Sequence, residues 1–158
     1  MHEVRKVILY TAPAAISPAC NDPQVASGQN KLILIIDDSA TVCKVVQTCL
    51  HRVGFEVLAF PDGLAALRWL AEQNARIPAL IFLDIGLPKM NGYEVALHIK
   101  LKPQYTRTVI VMLTRWDGVM ERIKARLVGA HASISKPFKV QEIISTVETY
   151  LGQTELPS

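Results

Sequence analysis

The sequence lacks any apolar run long enough to cross a bilayer. Its longest apolar stretches, such as residues 32–36, are far shorter than the roughly 18 residues that a membrane-spanning helix needs. Charge of one sign is also scarce, because 17 Lys and Arg against 14 Asp and Glu leave a formal net charge of +3. This excess is too small to indicate nucleic acid. We therefore expect neither a membrane nor a direct nucleic-acid partner.

Cysteine is scarce too. The chain has 3 cysteines in 158 residues, and an odd number excludes a fully paired disulfide framework. Cys43 and Cys49 fall on one predicted helix, where the helical rise separates them by about 9 Å. A disulfide requires Cα atoms within about 7 Å. We therefore expect reduced thiols, which are typical of a cytoplasmic protein.

The N-terminal region has few features of a folded segment. Residues 11–30 are rich in proline and small polar residues, which predicts a linker without a packed core. Glu3 interrupts the basic region that a secretory signal requires, and Thr11 and Pro13 interrupt the apolar one, so we expect no such signal. The predicted organisation is a flexible N-terminal tail or linker (1–30), one folded domain (31–151) and a C-terminal tail (152–158).

From Lys31 onwards, short apolar runs alternate with helical patterns. Continuous apolar runs are typical of strands buried on both faces, and apolar residues spaced three and four apart indicate amphipathic helices. Strands are predicted at residues 32–36, 55–60, 80–83, 109–113 and 132–135, each followed by a helix. This alternation predicts an α/β fold, with a parallel sheet of five strands and helices on both faces.

Polar residues follow four of these strands. Asp37 and Asp38 come after the first strand, Asp84 after the third, Thr114 after the fourth and Lys136 after the fifth. The carboxyl ends of parallel strands share one edge of the sheet, so these side chains should converge. Crowded carboxylates repel one another unless a cation joins them, and oxygen ligands favour Mg²⁺. A carboxylate beside Mg²⁺ and a lysine can accept a phosphoryl group. The pattern therefore predicts a magnesium and phosphoryl site.

Four segments, each at the end of a predicted strand, resemble the signatures of response-regulator receiver domains. They are residues 35–39 (IIDDS), 83–92 (LDIGLPKMNG), 112–114 (MLT) and 135–138 (SKPF). The resemblance covers about residues 31–151 and implies a flavodoxin-like (βα)5 fold with strand order 2-1-3-4-5. Residues 116–130 further resemble stand-alone receivers of pilus-motility and phototaxis pathways.

The resemblance also implies a role for each residue at the strand ends. Asp84 would accept phosphate from the phosphohistidine of a sensor histidine kinase or a phosphotransfer protein. Thr114 would bind the phosphoryl group, and Lys136 would pair first with Asp84 and then with the phosphate. The implied Mg²⁺ ligands are Asp37, Asp38, Asp84 and the backbone carbonyl of Gly86. The implied protein is a signalling protein rather than a turnover enzyme, and it would act on a downstream protein target.

Three features near this site concern its backbone and its departures from the family pattern. The resemblance implies a cis peptide bond between Lys136 and Pro137, which an X–Pro sequence makes accessible. Ser133 stands where the family usually has a Tyr or Phe that switches rotamer, so coupling to a distant surface is either altered or carried by the backbone. Arg115 stands where the family prefers a small residue after Thr114. We favour a role facing the phosphate or its donor over simple solvation.

Each site residue alone has a simpler interpretation, and only the joint pattern favours chemistry. Asp38 with Ser39 suits a helix cap, Asp84 an ordinary loop and Lys136 a solvated surface. A second hypothesis, based on Ser133 and Arg115, is a pseudo-receiver that binds protein partners without phosphorylation. A phosphatase of the haloacid-dehalogenase type is disfavoured, because no D-x-D pattern follows the first strand and the chain lacks a cap domain.

Overall fold

A computed structural model describes residues 7–10, 31–72, 74, 76–116 and 118–152. Within this part of the chain the strands are β1 (Val7–Leu9), β2 (Leu32–Ile36), β3 (Glu56–Phe60), β4 (Leu80–Asp84), β5 (Val109–Thr114) and β6 (Ala132–Ser135). The helices are α1 (Ala40–Arg52), α2 (Gly63–Ala71), α3 (Gly92–Lys100), α4 (Val119–Leu127) and α5 (Val140–Leu151), and a 3-10 turn covers Pro103–Tyr105.

The strands form one sheet in the order β1-β6-β5-β4-β2-β3. Strands β2 to β6 are parallel, and β1 lies antiparallel to β6 at one edge. The predicted count of five strands is therefore wrong, and the order 2-1-3-4-5 does not describe the whole sheet. Numbered without β1, the five parallel strands do run 2-1-3-4-5.

The additional strand also corrects the prediction that residues 1–30 form a flexible tail. Val7–Leu9 pairs with β6 from Ile134 to Ala132, so part of this region belongs to the sheet. Three apolar residues carry too little periodicity to indicate a strand from sequence. Residues 1–6, 11–30 and 153–158 lie outside the described residues, so the linker and most of the C-terminal tail stay predictions.

The central strands are buried on both faces, as their continuous apolar runs predict. Alternate residues of each strand point to opposite faces, so Leu34 and Ile36 belong to one core and Ile33 and Ile35 to the other. The first core packs against α2, α3 and α4, and the second against α1 and α5. The prediction of helices on both faces is confirmed.

Glycines follow two of the helices at their carboxyl ends. Gly54 and Gly129, just beyond α1 and α4, have φ values of 96° and 89°, a left-handed conformation that favours glycine at helix ends. Ser39 caps α1 by accepting a hydrogen bond from the Val42 N–H. Cys43 and Cys49 are buried free thiols, as expected. Among the described residues, no helix is both long and apolar enough to cross a membrane.

Candidate functional site

Three carboxylates meet at the carboxyl edge of the sheet. Asp37 and Asp38 follow β2 and Asp84 ends β4, and one oxygen of each lies within 4.8 Å of the others. Asp37 is 1% and Asp84 7% exposed, whereas Asp38 is exposed to solvent. The predicted convergence is confirmed, because adjacent parallel strands bring their last residues to the same place.

Lys136 reaches this carboxylate cluster from the end of β6. Its ammonium donates a hydrogen bond of 2.6 Å to Asp37 Oδ2 and lies 3.4 Å from Asp84 Oδ1. The nearer partner is thus Asp37, whereas the resemblance implied Asp84. The Lys136–Pro137 peptide bond is cis, as expected.

The environment of Asp84 favours a bound cation. Burial, followed by the nearby charge of Asp37, raises the pKa of the Asp84 carboxyl, while Lys136 and the Gly86 N–H oppose that shift. The Gly86 N–H donates to Asp84 Oδ1 at 3.1 Å. Asp37 Oδ1 accepts from the Ser39 N–H at 2.8 Å, which fixes the orientation of this carboxylate. One ammonium neutralises only one of the two buried carboxylates, so the oxygen-only ligand set suits a divalent ion such as Mg²⁺.

Gly92 holds the loop after Asp84 close to the strand end. Its N–H donates to the Ile85 carbonyl at 3.0 Å. A Cβ at Gly92 would lie 2.5 Å from the Asp84 carbonyl oxygen and 2.8 Å from Ile85 Cα, and neither backbone atom can move without shifting Asp84. In the sequence Gly92 stands out only as the last residue of the 83–92 segment. The structure shows that the close approach of two backbone segments requires glycine here.

The Thr114 hydroxyl is engaged in a local turn at the end of β5. It donates to the Trp116 carbonyl at 2.7 Å and accepts from the Trp116 N–H at 2.9 Å. A hydroxyl has a single proton to donate. Thr114 can therefore donate to a phosphoryl oxygen only by releasing the Trp116 carbonyl, which lies just before α4.

Arg115 lies beside the carboxylates. A cavity of about 550 Å³ adjoins the site, and its lining includes Asp37, Asp38, Lys136 and Arg115. The other wall is mostly apolar and comes from α1 and from Pro137 and Phe138. Arg115 is exposed and lines the same cavity as Asp37, Asp38 and Lys136. The interpretation that Arg115 faces the phosphate or its donor stays a prediction that this position supports.

Sequence reasoning missed Tyr10, which contacts Ser133 on β6, one row of side chains from the Thr114–Ser135 pair. Its hydroxyl donates a hydrogen bond of 2.7 Å to the Ser133 hydroxyl, and Ser133 is only 4% exposed. Ser133 is thus a buried serine bonded to an aromatic side chain from outside the predicted domain. The apolar triplet before Tyr10 is too short to indicate a strand, so the sequence carries no signal for this contact.

Known proteins are similar to this chain over most of its length. Residues 33–148 match the family described as the response regulator receiver domain. The chain belongs to this family. Protein PilG of Pseudomonas aeruginosa is 32% identical over 119 residues, which are 75% of this chain and 86% of PilG. The regulatory protein PhoP of Bacillus subtilis, named for alkaline phosphatase synthesis, is 33% identical over 127 residues, which are 80% of this chain and 51% of PhoP.

Solved receiver structures have the same fold. The chemotaxis response regulator CheY4 of Vibrio cholerae superimposes with a TM-score of 0.69 at 30% identity, covering 75% of this chain and 96% of CheY4. The Mn²⁺-bound form of the response regulator Rcp1 superimposes with a TM-score of 0.69 at 29% identity, covering 81% of this chain and 99% of Rcp1. The receiver is thus similar to CheY-like and pilus-type proteins.

Proposed function

We propose that this receiver accepts a phosphoryl group on Asp84, with Mg²⁺, from the phosphohistidine of a sensor histidine kinase or a phosphotransfer protein. The observation that carries the proposal is the meeting of Asp37, Asp38 and Asp84 within 4.8 Å, with Lys136 bonded to the buried pair. Such a grouping has little value for stability, because buried like charges cost free energy. It suits a site that neutralises an incoming phosphoryl group.

The side chains of Asp37, Asp38 and Asp84 and the carbonyl of Gly86 are the proposed Mg²⁺ ligands. The donor set fits, because all of these groups offer oxygen and two of the three carboxylates are buried with one ammonium between them. When bound, Mg²⁺ would neutralise charge on the phosphoryl oxygens.

The transfer would use Asp84 as nucleophile. An oxygen of its carboxylate forms a bond to phosphorus as the phosphorus–nitrogen bond to the donor histidine breaks, and the imidazole leaves with the bonding pair and takes a proton from solvent. Lys136 would move its contact from the carboxylates to a phosphoryl oxygen. The Thr114 hydroxyl would exchange the Trp116 carbonyl for another phosphoryl oxygen, and Arg115 would attract the anionic donor at the cavity mouth.

The proposed output is a change of affinity for a downstream protein partner, in the cytoplasm, without direct contact to nucleic acid or membrane. The phosphoryl group stays on the protein as a signal and is later lost to water, so the receiver acts as a switch and not as a turnover enzyme.

Phosphorylation of the purified chain by acetyl phosphate tests the proposal. With Mg²⁺, intact-protein mass spectrometry should show one added phosphoryl group that is stable in acid and labile in base. Asp84→Asn should remove it, and the matched control Glu72→Gln, at an exposed carboxylate far from the site, should retain it. Wild-type protein that stays unmodified even with its kinase would refute the proposal and favour the phosphorylation-independent pseudo-receiver.

A further inference from the structure

The N-terminal strand and the residue after it bridge both layers of the molecule. Residues 7–10, named here the N-terminal strap, pair with β6 along Val7–Leu9, and the Tyr10 N–H donates to the His131 carbonyl at 2.7 Å. Val7 packs against the core that α1 and α5 cover, and Tyr10 packs against the core that α2, α3 and α4 cover. The strap therefore contacts the helical layers on both sides of β6.

Tyr10 makes the most specific contact of the strap. In the antiparallel register Ile8 lies opposite Ser133, so the hydrogen bond from Tyr10 to Ser133 is a diagonal cross-strand contact on one face of the sheet. Ser133 is also the cross-strand neighbour of Met112 on β5. Two residues further along, Thr114 lies opposite Ser135. Because side chains repeat their face every two residues, the Tyr10–Ser133 bond is one row from Thr114.

Two routes join the strap to the phosphoryl site. Along β6, Ser133 is three residues, or about 10 Å, from Lys136, whose ammonium bonds Asp37 and approaches Asp84. Through α4, Glu121 accepts a hydrogen bond from the Tyr93 hydroxyl. Burial and then Glu121 raise the pKa of Tyr93, and Tyr10 adds to that shift. Tyr10 and Tyr93 also pack against the same core.

The Thr114 hydroxyl can adopt two alternative hydrogen-bonding arrangements. Its proton is either donated to the Trp116 carbonyl or is free for a phosphoryl oxygen, and Trp116 lies two residues before the Gly118 cap of α4. In this structure the strap is docked while Thr114 is bonded to Trp116. The strap thus accompanies one of the two arrangements.

We propose that the strap is an intramolecular ligand of the β6 edge, and that its docking through Tyr10 opposes phosphoryl binding at Asp84. The inference rests on the proposed function of that site. By linkage, a docked strap that lowers the affinity for the phosphoryl group must itself be loosened, by the same factor, when that group binds. The strap is short enough to detach without unfolding the sheet, because only three residues pair with β6. Releasing it would expose the β6 edge.

Beryllofluoride with Mg²⁺, a stable mimic of the phosphoryl group, tests the coupling in the full chain. Its affinity would be measured by Trp fluorescence or calorimetry for wild type, Tyr10→Ala and Tyr10→Phe. Tyr10→Ala should bind about fivefold tighter or more, and Tyr10→Phe should shift in the same direction by less, because it loses only the bond to Ser133. The matched control Tyr105→Phe removes a hydroxyl that donates to the Leu70 carbonyl, away from the strap, and should leave the affinity unchanged.

Hydrogen exchange gives a second measurement that needs no variant. Beryllofluoride should raise the exchange rate of the amides in residues 7–10 of the wild-type chain by about fivefold or more. Beryllofluoride that binds equally to wild type and both Tyr10 variants, with unchanged exchange in the strap, would overturn this inference and leave the proposed function standing. Binding that weakens in Tyr10→Ala would also overturn it. If beryllofluoride binds to none of the proteins, the proposed function fails and the coupling fails with it.

Discussion

Lys136 lies nearer to Asp37 than to Asp84: its ammonium is 2.6 Å from Asp37 Oδ2 and 3.4 Å from Asp84 Oδ1. Asp37 is the more deeply buried of the two carboxylates and has the greater need of a hydrogen-bond partner. Asp84 therefore keeps one oxygen only loosely paired with the lysine. That arrangement leaves the proposed nucleophile available while its neighbour holds the ammonium in place.

Replacing Lys136 with Met should destabilise the protein mainly in the absence of divalent ions. Two buried carboxylates would lose their shared cation, at a cost of about 3–5 kcal/mol in the free energy of unfolding. The variant has no lysine ammonium to compete with Mg²⁺ for the carboxylates. The ion should therefore bind more tightly and restore part of the stability. Chemical denaturation with EDTA and with Mg²⁺ measures both effects. Equal stabilisation of wild type and Lys136→Met by Mg²⁺ would show that the ion does not bind beside this lysine.

Replacing Thr114 with Val should separate the two uses of its hydroxyl. The variant keeps the shape of the side chain but cannot bond to the Trp116 backbone or to a phosphoryl oxygen. We expect beryllofluoride to bind about tenfold more weakly or worse, as for the loss of a hydrogen bond to a charged group. Thr114→Ser, which restores a hydroxyl, should recover most of the affinity. Wild-type affinity in Thr114→Val would exclude a phosphoryl contact for this residue.

Replacing Gly92 with Ala should disturb the Asp84 loop. The added Cβ would meet the Asp84 carbonyl and Ile85 Cα, so we expect a loss of about 1–3 kcal/mol in the free energy of unfolding. Phosphorylation by acetyl phosphate should slow as well, because the clash displaces the backbone of Asp84. Gly118→Ala is the control, since a Cβ there meets no atom within 4 Å. If Gly92→Ala matches this control in thermal unfolding, the loop is more adaptable than the structure indicates.

His131 should make stability sensitive to mildly acidic pH. Its Nδ1 accepts a hydrogen bond from the Ile110 N–H at 3.2 Å, and burial, with a smaller effect of Lys100, lowers the pKa of its imidazole. The unfolded chain therefore takes up a proton before the folded protein does. Stability should be full above the ordinary histidine pKa of about 6.5 and should fall below it, by at most about 1.4 kcal/mol per pH unit, until the lowered folded pKa is reached.

Denaturation of His131→Gln at pH 8 and pH 6 isolates this contribution. Glutamine keeps a hydrogen-bond acceptor but does not titrate in this range, so the variant should lose less stability than wild type between the two pH values. The exposed His98→Gln variant should behave like wild type. The assignment to His131 would not survive if all three proteins lost the same amount.

The sequence allowed the five parallel strands and the site at their carboxyl ends to be predicted, because both depend on strong local patterns. A strand such as Leu32–Ile36 is buried on both faces, and its apolar run is continuous for that reason. The position of Asp37 or Asp84 directly after such a run then determines the edge of the sheet at which it lies. Because parallel strands end at the same edge of the sheet, residues that follow different strands in the sequence come together in space. The carboxylate cluster could therefore be predicted from the strand positions alone.

The features that were missed depend on contacts between distant segments. Val7–Leu9 is a strand only because β6 offers an unpaired edge, and three residues cannot indicate this by themselves. The hydrogen bond between Tyr10 and Ser133 joins residues 123 positions apart. Lys136 lies nearer to Asp37 because of differences in burial and distance within the cluster. The sequence predicts that these residues meet, but not which of them pair.

The three-residue strand also limits how the sheet can meet other sheets. A bare β6 would present a row of backbone N–H and carbonyl groups on which a foreign strand could grow, and β1 occupies those groups while being too short to offer a long template itself. At the opposite margin, β3 begins with Glu56, which pairs with Arg76 and places charge on that border. Both lateral margins thus discourage strand-by-strand aggregation between copies of the chain.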